Sequence, residues 1–314
     1  MTFSGKVDMR DGFGAAIMEL GENNPDVVTL TADLSETMRF QPFAKKYPDR
    51  FFQMGISEID MMGTAAGLAL GGKIPFPGTF AVFAASLANQ TVRLSIAYNQ
   101  ANVKIVVSHG GVTVGPDGAT HQAFEDIALM RLLPGMTVIV PADANEAYKA
   151  TLAAAEMVGP VYLRLARAAH PVVTPADAPF CIGKADVLRD GGNVAIIAAG
   201  PMVSRALAAA ETLSSEGIQA MVLNMHTIKP ADESAVVAAA ARCGAVVTVE
   251  EHSVLGGLGG CVAEILGQKM PMPMEFVGIQ DTFGESGEPE EILEKYGLTA
   301  KDVVAAAKRA IGRK

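Results

Sequence analysis

The chain has 314 residues, half of them apolar, with only 19% charged and a net charge of −9. That is enough apolar chain to bury one large or two medium cores and too little charge for intrinsic disorder. The acidic balance would be repelled by phosphate backbones and anionic lipid, so neither nucleic acid nor a membrane surface is an expected partner.

In chain order, the amino terminus MTFSGKVDMRDG has no apolar run after its basic residue and does not read as a signal peptide. β-Rich runs at 27–30, 51–54, 103–108, 137–140 and 161–165 alternate with helical patterns at 11–20, 57–70, 87–98, 123–132 and 145–157. Several runs are apolar at consecutive positions, as strands covered by helices on both faces require. The uncharged stretch Ile74 to Val92 contains Pro75, Pro77, Gly78, Asn89 and Gln90 and reads as buried core rather than a lipid-spanning helix. PVVTPADAP at 171–179 reads as a linker. A second series follows, with strands at 194–198, 220–223, 246–250 and 275–277 and helices at 203–216, 232–243 and 301–311. The expected fold class is α/β: a parallel-sheet domain over 1–175, then a smaller α/β domain over 185–314. Cys181, Cys243 and Cys261 are odd in number and far apart, which fits a reduced cytoplasm and no disulfide framework.

The densest chemistry lies in SHGGVTVGPDGATHQAFE, 108–125, which begins where a buried strand ends. Open α/β sheets place ligands there. Gly110, Gly111, Gly115 and Gly118 allow close backbone approach, and His109, Asp117 and His121 are suited to proton transfer and to gripping hydroxyls. Taken singly, His121 could start the next helix and Asp117 could fix a turn; three such groups in one loop favour function. Glu58 stands at the start of an almost uncharged helix, where burial would raise its pKa unless it is paired; the alternative is an acid favoured by the helix dipole. Phe80 and Phe83 could cover a planar heterocycle or pack in the core. Arg10 and Arg167 border predicted elements and could hold a phosphate or carboxylate, or remain solvated. No metal-ligand set is expected: Glu250, Glu251 and His252 are adjacent and alternate faces in an extended chain. GGLGG at 256–260 lacks dinucleotide spacing, and no P-loop is present.

Jointly these segments resemble the C-terminal half of transketolase, in the arrangement divided between two polypeptides. The resemblance covers essentially the whole chain. Ser108 to Gln122 is similar to the family's THQ-ending stretch, GISEIDMMGTAAGLAL to its glutamate-bearing helix start, and VPADANE at 140–146 to the segment after the next strand. LARAAHP at 165–171 resembles the arginine-bearing strand end and FGESG at 283–287 a motif near the C-terminus. Departures are Pro116 in place of a glutamate, Ile59–Asp60 in place of a polar pair, Thr31 in place of a serine, and AASLANQTVR after Phe83 without a Tyr or its usual Arg.

The resemblance implies a pyrimidine-binding domain followed by the family's C-terminal domain, with thiamine diphosphate as cofactor. It implies that Glu58 hydrogen-bonds the aminopyrimidine and that Phe80 and Phe83 pack on it. His109 and His121 would act on the substrate's oxygens and protons, Asp117 on a neighbouring hydroxyl, and Arg10, Thr31 and Arg167 at the sugar phosphate. The family's GDG motif for diphosphate and Mg²⁺ is absent here. The implied partner is therefore an N-terminal transketolase subunit that carries it, in an α2β2 heterotetramer. The alternatives are a β subunit of a 2-oxoacid dehydrogenase E1 component, or a non-catalytic subunit of a transketolase-like enzyme.

Overall fold

Runs of consecutive apolar residues, too short for helices, are stable only when both of their faces are covered. Four such runs, together with Ile74–Phe80, form the centre of a seven-stranded sheet in the computed structural model, which describes all 314 residues. Its order is Thr227–Lys229, Thr137–Ile139, Val161–Arg164, Lys104–Ser108, Ile74–Phe80, Val27–Thr31, Phe51–Gln53, and only Thr227–Lys229 is antiparallel to its neighbour. The helices Met9–Asn23, Glu58–Leu70 and Ala144–Glu156 belong to this part of the chain. Ile74–Phe80 holds two prolines that cannot donate a hydrogen bond. Pairing with Lys104–Ser108 starts only at Gly78, beyond both of them.

The second series makes a five-stranded sheet ordered Met274–Ile279, Val246–Ser253, Val194–Ala198, Ala220–Asn224, Asp186–Arg189, with the last strand antiparallel. The mixed, mainly parallel α/β class expected from the sequence is the one observed. The two sheets share material. Thr227–Lys229 leaves the second series to complete the edge of the first sheet, and one buried cluster includes Leu30, Val107 and Tyr162 together with Ile197, Leu223 and Val246. The start of the proline-rich segment is docked: Ala169–Pro171 pairs with Lys6–Asp8, and Asp143 accepts hydrogen bonds from Val173 N, Thr174 N and Thr174 Oγ1 at 2.6–2.7 Å.

Three elements differ from the periodicity reading. The helix expected at 123–132 begins at Asp126, because Ala123 and Phe124 give their carbonyls to Gly111 N and Ser253 N instead of to a helix. The stretch after Phe80 is wound with wide turns over Phe83–Leu87 and Val92–Tyr98, a geometry enriched at functional sites. Helix Leu258–Lys269 forms in spite of GGLGG, since the buried Glu250 carboxylate accepts from Leu258 N and Gly259 N at 2.7 Å each. A tertiary acid thereby satisfies the orphan donors of a glycine-rich helix start.

The halves are tied by Arg164, 3% exposed. Its Nε meets Asp126 Oδ2 at 2.7 Å, and its Nη2 donates to the carbonyls of Ala123 and Glu251. Tyr162 Oη adds a hydrogen bond to the same carboxylate at 2.9 Å. Asp126→Ala leaves this guanidinium buried without its anion and should cost about 3–5 kcal/mol. Urea unfolding of the full chain measures it, and a loss under about 1 kcal/mol would contradict the role given to the pair.

Candidate functional site

The residues singled out in the sequence stand at or just beyond the C-terminal ends of neighbouring parallel strands. Thr31 ends Val27–Thr31, Glu58 follows Phe51–Gln53, Phe80 ends Ile74–Phe80, His109 follows Lys104–Ser108, and Arg167 follows Val161–Arg164. Crossover helices return the chain to the opposite edge of a parallel sheet, so this edge gathers the loops free to hold a ligand.

Glu58 is 4% exposed at the first position of its helix, and its Oε1 accepts from Thr79 Oγ1 at 3.3 Å. Nearby in the chain, Phe80 stacks on Phe83 with centroids 5.7 Å apart and planes 20° apart. His109 also lies face to face with Phe80, its ring centroid 3.8 Å away. His121 meets both phenylalanines edge-on at 5.9 and 5.6 Å. His121 sits in the loop before the helix, half-buried, with Nδ1 2.9 Å from Thr120 Oγ1. Phe80 is buried, whereas Phe83 keeps part of its surface open.

His109 occupies a left-handed conformation, φ +63°, which is rare for a residue with a side chain and marks strain held by its surroundings. Ser108 Oγ lies 2.8 Å from its Nδ1 and also faces Met38 Sδ at 3.2 Å. A hydroxyl that donates to that sulfur accepts from Nδ1–H, which leaves Nε2 as an acceptor. Nε2 is 4.0 Å from Asp117 Oδ2, and Asp117 Oδ1 is 4.0 Å from Arg167 Nη2. Both gaps exceed a hydrogen bond: a water can bridge the two acceptors Nε2 and Oδ2, and a hydroxyl or water can bridge Asp117 to Arg167. Burial, and then the positive groups Arg10 and Arg167 with His121, push the His109 imidazole down to about 3.

The arginines differ in freedom. Arg167 is about one-third exposed and donates to Val114 O. Arg10 is committed: Nε and Nη2 hold Asp8, Nη2 also donates to Arg167 O at 3.1 Å, and Nη1 donates to Thr37 O. It therefore orders the backbone of Arg167. Thr31 is fully buried; its hydroxyl donates to Gly78 O and accepts from Leu34 N, both at 3.2 Å, fixing the turn after its strand.

Sequence reasoning missed the residues that hold the glycine-rich loop from the second sheet. Buried Glu251 accepts from Thr113 N at 2.6 Å, and burial pushes its carboxyl up. Gly111 has φ +90°, and a Cβ there would fall 2.4 Å from Glu251 Oε1, so close approach and backbone angle both require glycine. Gln122 Nε2 bridges Val112 O and Glu285 O, joining the loop to FGESG. No spacing rule links Glu251 to Thr113, 138 positions away. Glu250, Glu251 and His252 serve three separate contacts: the helix start at Leu258, the loop at Thr113, and Ala128 N, 3.3 Å from His252 Nε2.

Comparison with known proteins fits this arrangement. Residues 5–172 match the family described as "Transketolase, pyrimidine binding domain", and residues 183–303 match "Transketolase, C-terminal domain". The chain is 44% identical to a 6-deoxy-6-sulfo-D-fructose transketolase subunit SqwH from Clostridium sp. (strain MSTE9), covering 98% of this chain and 95% of that protein. It is 40% identical to one of the subunits of an apulose-4-phosphate transketolase from Phocaeicola vulgatus, covering 95% and 96%. A solved structure, described as a split gene transketolase in an inactive beta4 tetramer, superposes with TM-score 0.93 at 51% identity, covering 98% of this chain and 99% of that one. The chain belongs to the transketolase family. These matches favour neither a dehydrogenase β subunit nor a non-catalytic subunit.

The depressed His109 pKa gives a signed expectation. An unfolded imidazole takes up a proton near 6.5, but the folded site refuses it until about 3. His109 therefore costs no stability above about pH 6.5 and increasingly more as the pH falls towards 3, by at most about 1.4 kcal/mol per pH unit. Histidine-resolved NMR titration should find its ring neutral at about pH 5; a midpoint at the ordinary value would contradict this geometry.

Proposed function

We propose that this chain is the C-terminal subunit of a two-component, thiamine-diphosphate-dependent transketolase that moves a two-carbon ketol unit from a ketose donor to an aldose acceptor. The carrying observation is the buried Glu58 carboxyl close in the chain to a partly open phenylalanine stack that also meets His109 and His121. These groups fit the aminopyrimidine half of the cofactor, offering an acid for a ring nitrogen and aromatic faces for a flat heterocycle. They do not fit its diphosphate. The chain has no GDG motif, so we assign Mg²⁺ and the diphosphate to an N-terminal subunit.

Thiamine diphosphate, when bound, supplies an electron sink for the transferred fragment. The chain's own groups do the rest. Glu58 holds a proton against the pyrimidine nitrogen, and Phe80 and Phe83 orient the ring and exclude water from it. His109 Nε2 accepts a hydrogen bond from a sugar hydroxyl, and His121 exchanges protons with the sugar's carbonyl and hydroxyl oxygens. Asp117 selects the neighbouring hydroxyl, spaced between His109 and Arg167 at 4.0 Å from each. Arg167 holds the terminal anion, while Arg10 and Thr31 act by positioning the segments around it.

Two features support a partner subunit. Ile56, Ile59 and Leu87, at 84%, 52% and 56% exposure, flank Glu58 and Phe83 in the chain and are apolar surface that an α2β2 assembly would cover. The related structure is described as an inactive beta4 tetramer. The substrate class we favour is a ketose with a terminal anion, since the relatives named above act on a sulfonated and a phosphorylated sugar. We take the working units to be residues 1–175 and 185–314 and the setting to be the cytoplasm. No helix is long and apolar enough to cross a membrane.

Reconstitution with an N-terminal subunit, thiamine diphosphate and Mg²⁺ tests the reading, with ketol transfer followed by mass spectrometry. The chain alone should be inactive, and Glu58→Gln should reduce turnover of the complex by about 10²-fold or more while leaving assembly intact. Turnover without the partner, or near-normal turnover in Glu58→Gln, would refute the proposal.

Arg167→Ala separates the anion end from the chemistry. It should raise KM for sugar phosphates about tenfold or more and leave transfer to glycolaldehyde little changed, since only charged acceptors lose an ion pair. Equal losses for both acceptors would assign Arg167 a structural role.

A further inference from the structure

Away from the strand ends just described, three segments converge on a cluster that the transketolase reading does not use. Glu146 lies in the first turn of helix Ala144–Glu156, Asp186 begins the edge strand Asp186–Arg189, and His226 lies between Ala220–Asn224 and Thr227–Lys229. One ligand atom from each lies within 4.8 Å of the others. His226 Nε2 is 3.7 Å from Asp186 Oδ2, too far for a hydrogen bond. That nitrogen has no partner although the side chain is 1% exposed. The buried Oδ1 of Asn224, whose Nδ2 donates to Glu146, is also unpartnered. Orphaned buried polar atoms are uncommon and call for a partner, a water or an ion.

The surroundings favour a cation. Thr227 Oγ1 lies 2.9 Å from His226 Nδ1, so an Nδ1–H donated to it turns the lone pair of Nε2 towards the two carboxylates. Glu146 is oriented by Ala142 N at 2.6 Å and Asn224 Nδ2 at 2.8 Å, each leaving its oxygen a further lone pair. The Phe180 ring packs against the imidazole with centroids 4.2 Å apart. Glu146 and Asp186 form no ion pair with a lysine or arginine. Lys149, one turn along the helix, acts on Asp186 and His226 through its charge, but pairs with neither and gives its ammonium to Pro175 O and Ala178 O at 2.9 Å each.

We propose that Glu146, Asp186 and His226 form a binding site for one divalent transition-metal ion of the zinc class, which joins the two sheets. Two carboxyl groups and one imidazole suit borderline cations. Burial pushes the Glu146 carboxyl up to about 8, so an ion bound there displaces its proton. Bonds of about 2.0–2.2 Å would place the ligand atoms about 3.3 Å apart in a tetrahedral shell. About an ångström of closure is needed; Asp186, 47% exposed, has the freedom to supply it and leaves a fourth position to water. The ion would bind the helix of the first sheet to the edge of the second and to the turn before Thr227–Lys229, the strand carried back into the first sheet. The role is structural and independent of the ketol-transfer proposal.

The test is calorimetric titration of the full, metal-stripped, untagged chain with Zn²⁺, alongside thermal unfolding. Binding of one ion per chain with a raised Tm is expected. Both effects should weaken at least about tenfold in Asp186→Ala and in His226→Gln, and persist in Cys181→Ser, whose thiol is exposed. Circular dichroism of the Asp186→Ala chain checks that the fold is retained, since this half-exposed side chain can be removed without opening the core. Absence of saturable binding overturns the proposal, leaving a hydrogen-bonded cluster around a neutral Glu146. Binding unchanged in Asp186→Ala, or lost in Cys181→Ser, equally overturns it by placing the ion elsewhere.

Discussion

The structure depends on a buried cation at the seam between its two sheets. Arg164 ends a strand of the first sheet, yet its guanidinium reaches Asp126, Ala123 O and Glu251 O. A charge desolvated to this degree persists only when its donors are matched, so the three partners are constrained together. Asp126 begins the helix after the glycine-rich loop, Ala123 closes the loop on Gly111, and Glu251 belongs to the second sheet. Through these contacts the second sheet sets where His109, Asp117 and His121 stand.

The loop itself would be poorly specified alone. Glycines at φ +90°, +77° and +74° give it conformational freedom that costs entropy to remove. Glu251 removes that freedom by taking Thr113 N, and Gln122 by tying Val112 O to Glu285 O of the FGESG segment. Held in this way, the loop can keep His109 in a conformation that side-chain-bearing residues rarely adopt. The strain is located at the ring that faces Asp117, as expected where a side chain is positioned for chemistry rather than for packing.

The candidate site is well ordered but one-sided. It brings together an acid, aromatic faces, two imidazoles and a partly exposed guanidinium, in a chain that contains no GDG motif. Ile56, Ile59 and Leu87, close in the chain to Glu58 and Phe83, are left exposed. Such a surface is stable in a chain that buries it against another subunit.

Much of this was legible in the residues. Consecutive apolar runs identified the covered parallel strands, because burial on both faces leaves no alternation, and the cluster His109, Asp117, His121 announced itself by lying in one glycine-rich segment after such a strand. Local sequence alone determined these features, since they rest on neighbours within a few positions. It did not reveal the strand Thr227–Lys229, three residues long and paired across almost ninety positions, nor the helix at Leu258, whose glycines argue against it until Glu250 caps it. Nor did it separate the arginines: Arg10 and Arg167 look alike in the chain, and only folding commits Arg10 to Asp8 while leaving Arg167 partly open. Periodicity and turn chemistry are local and can be read along the chain. Capping by a distant acid, desolvation of His109 and the meeting of Glu146, Asp186 and His226 are decided by which segments the tertiary fold brings within a few ångströms of one another.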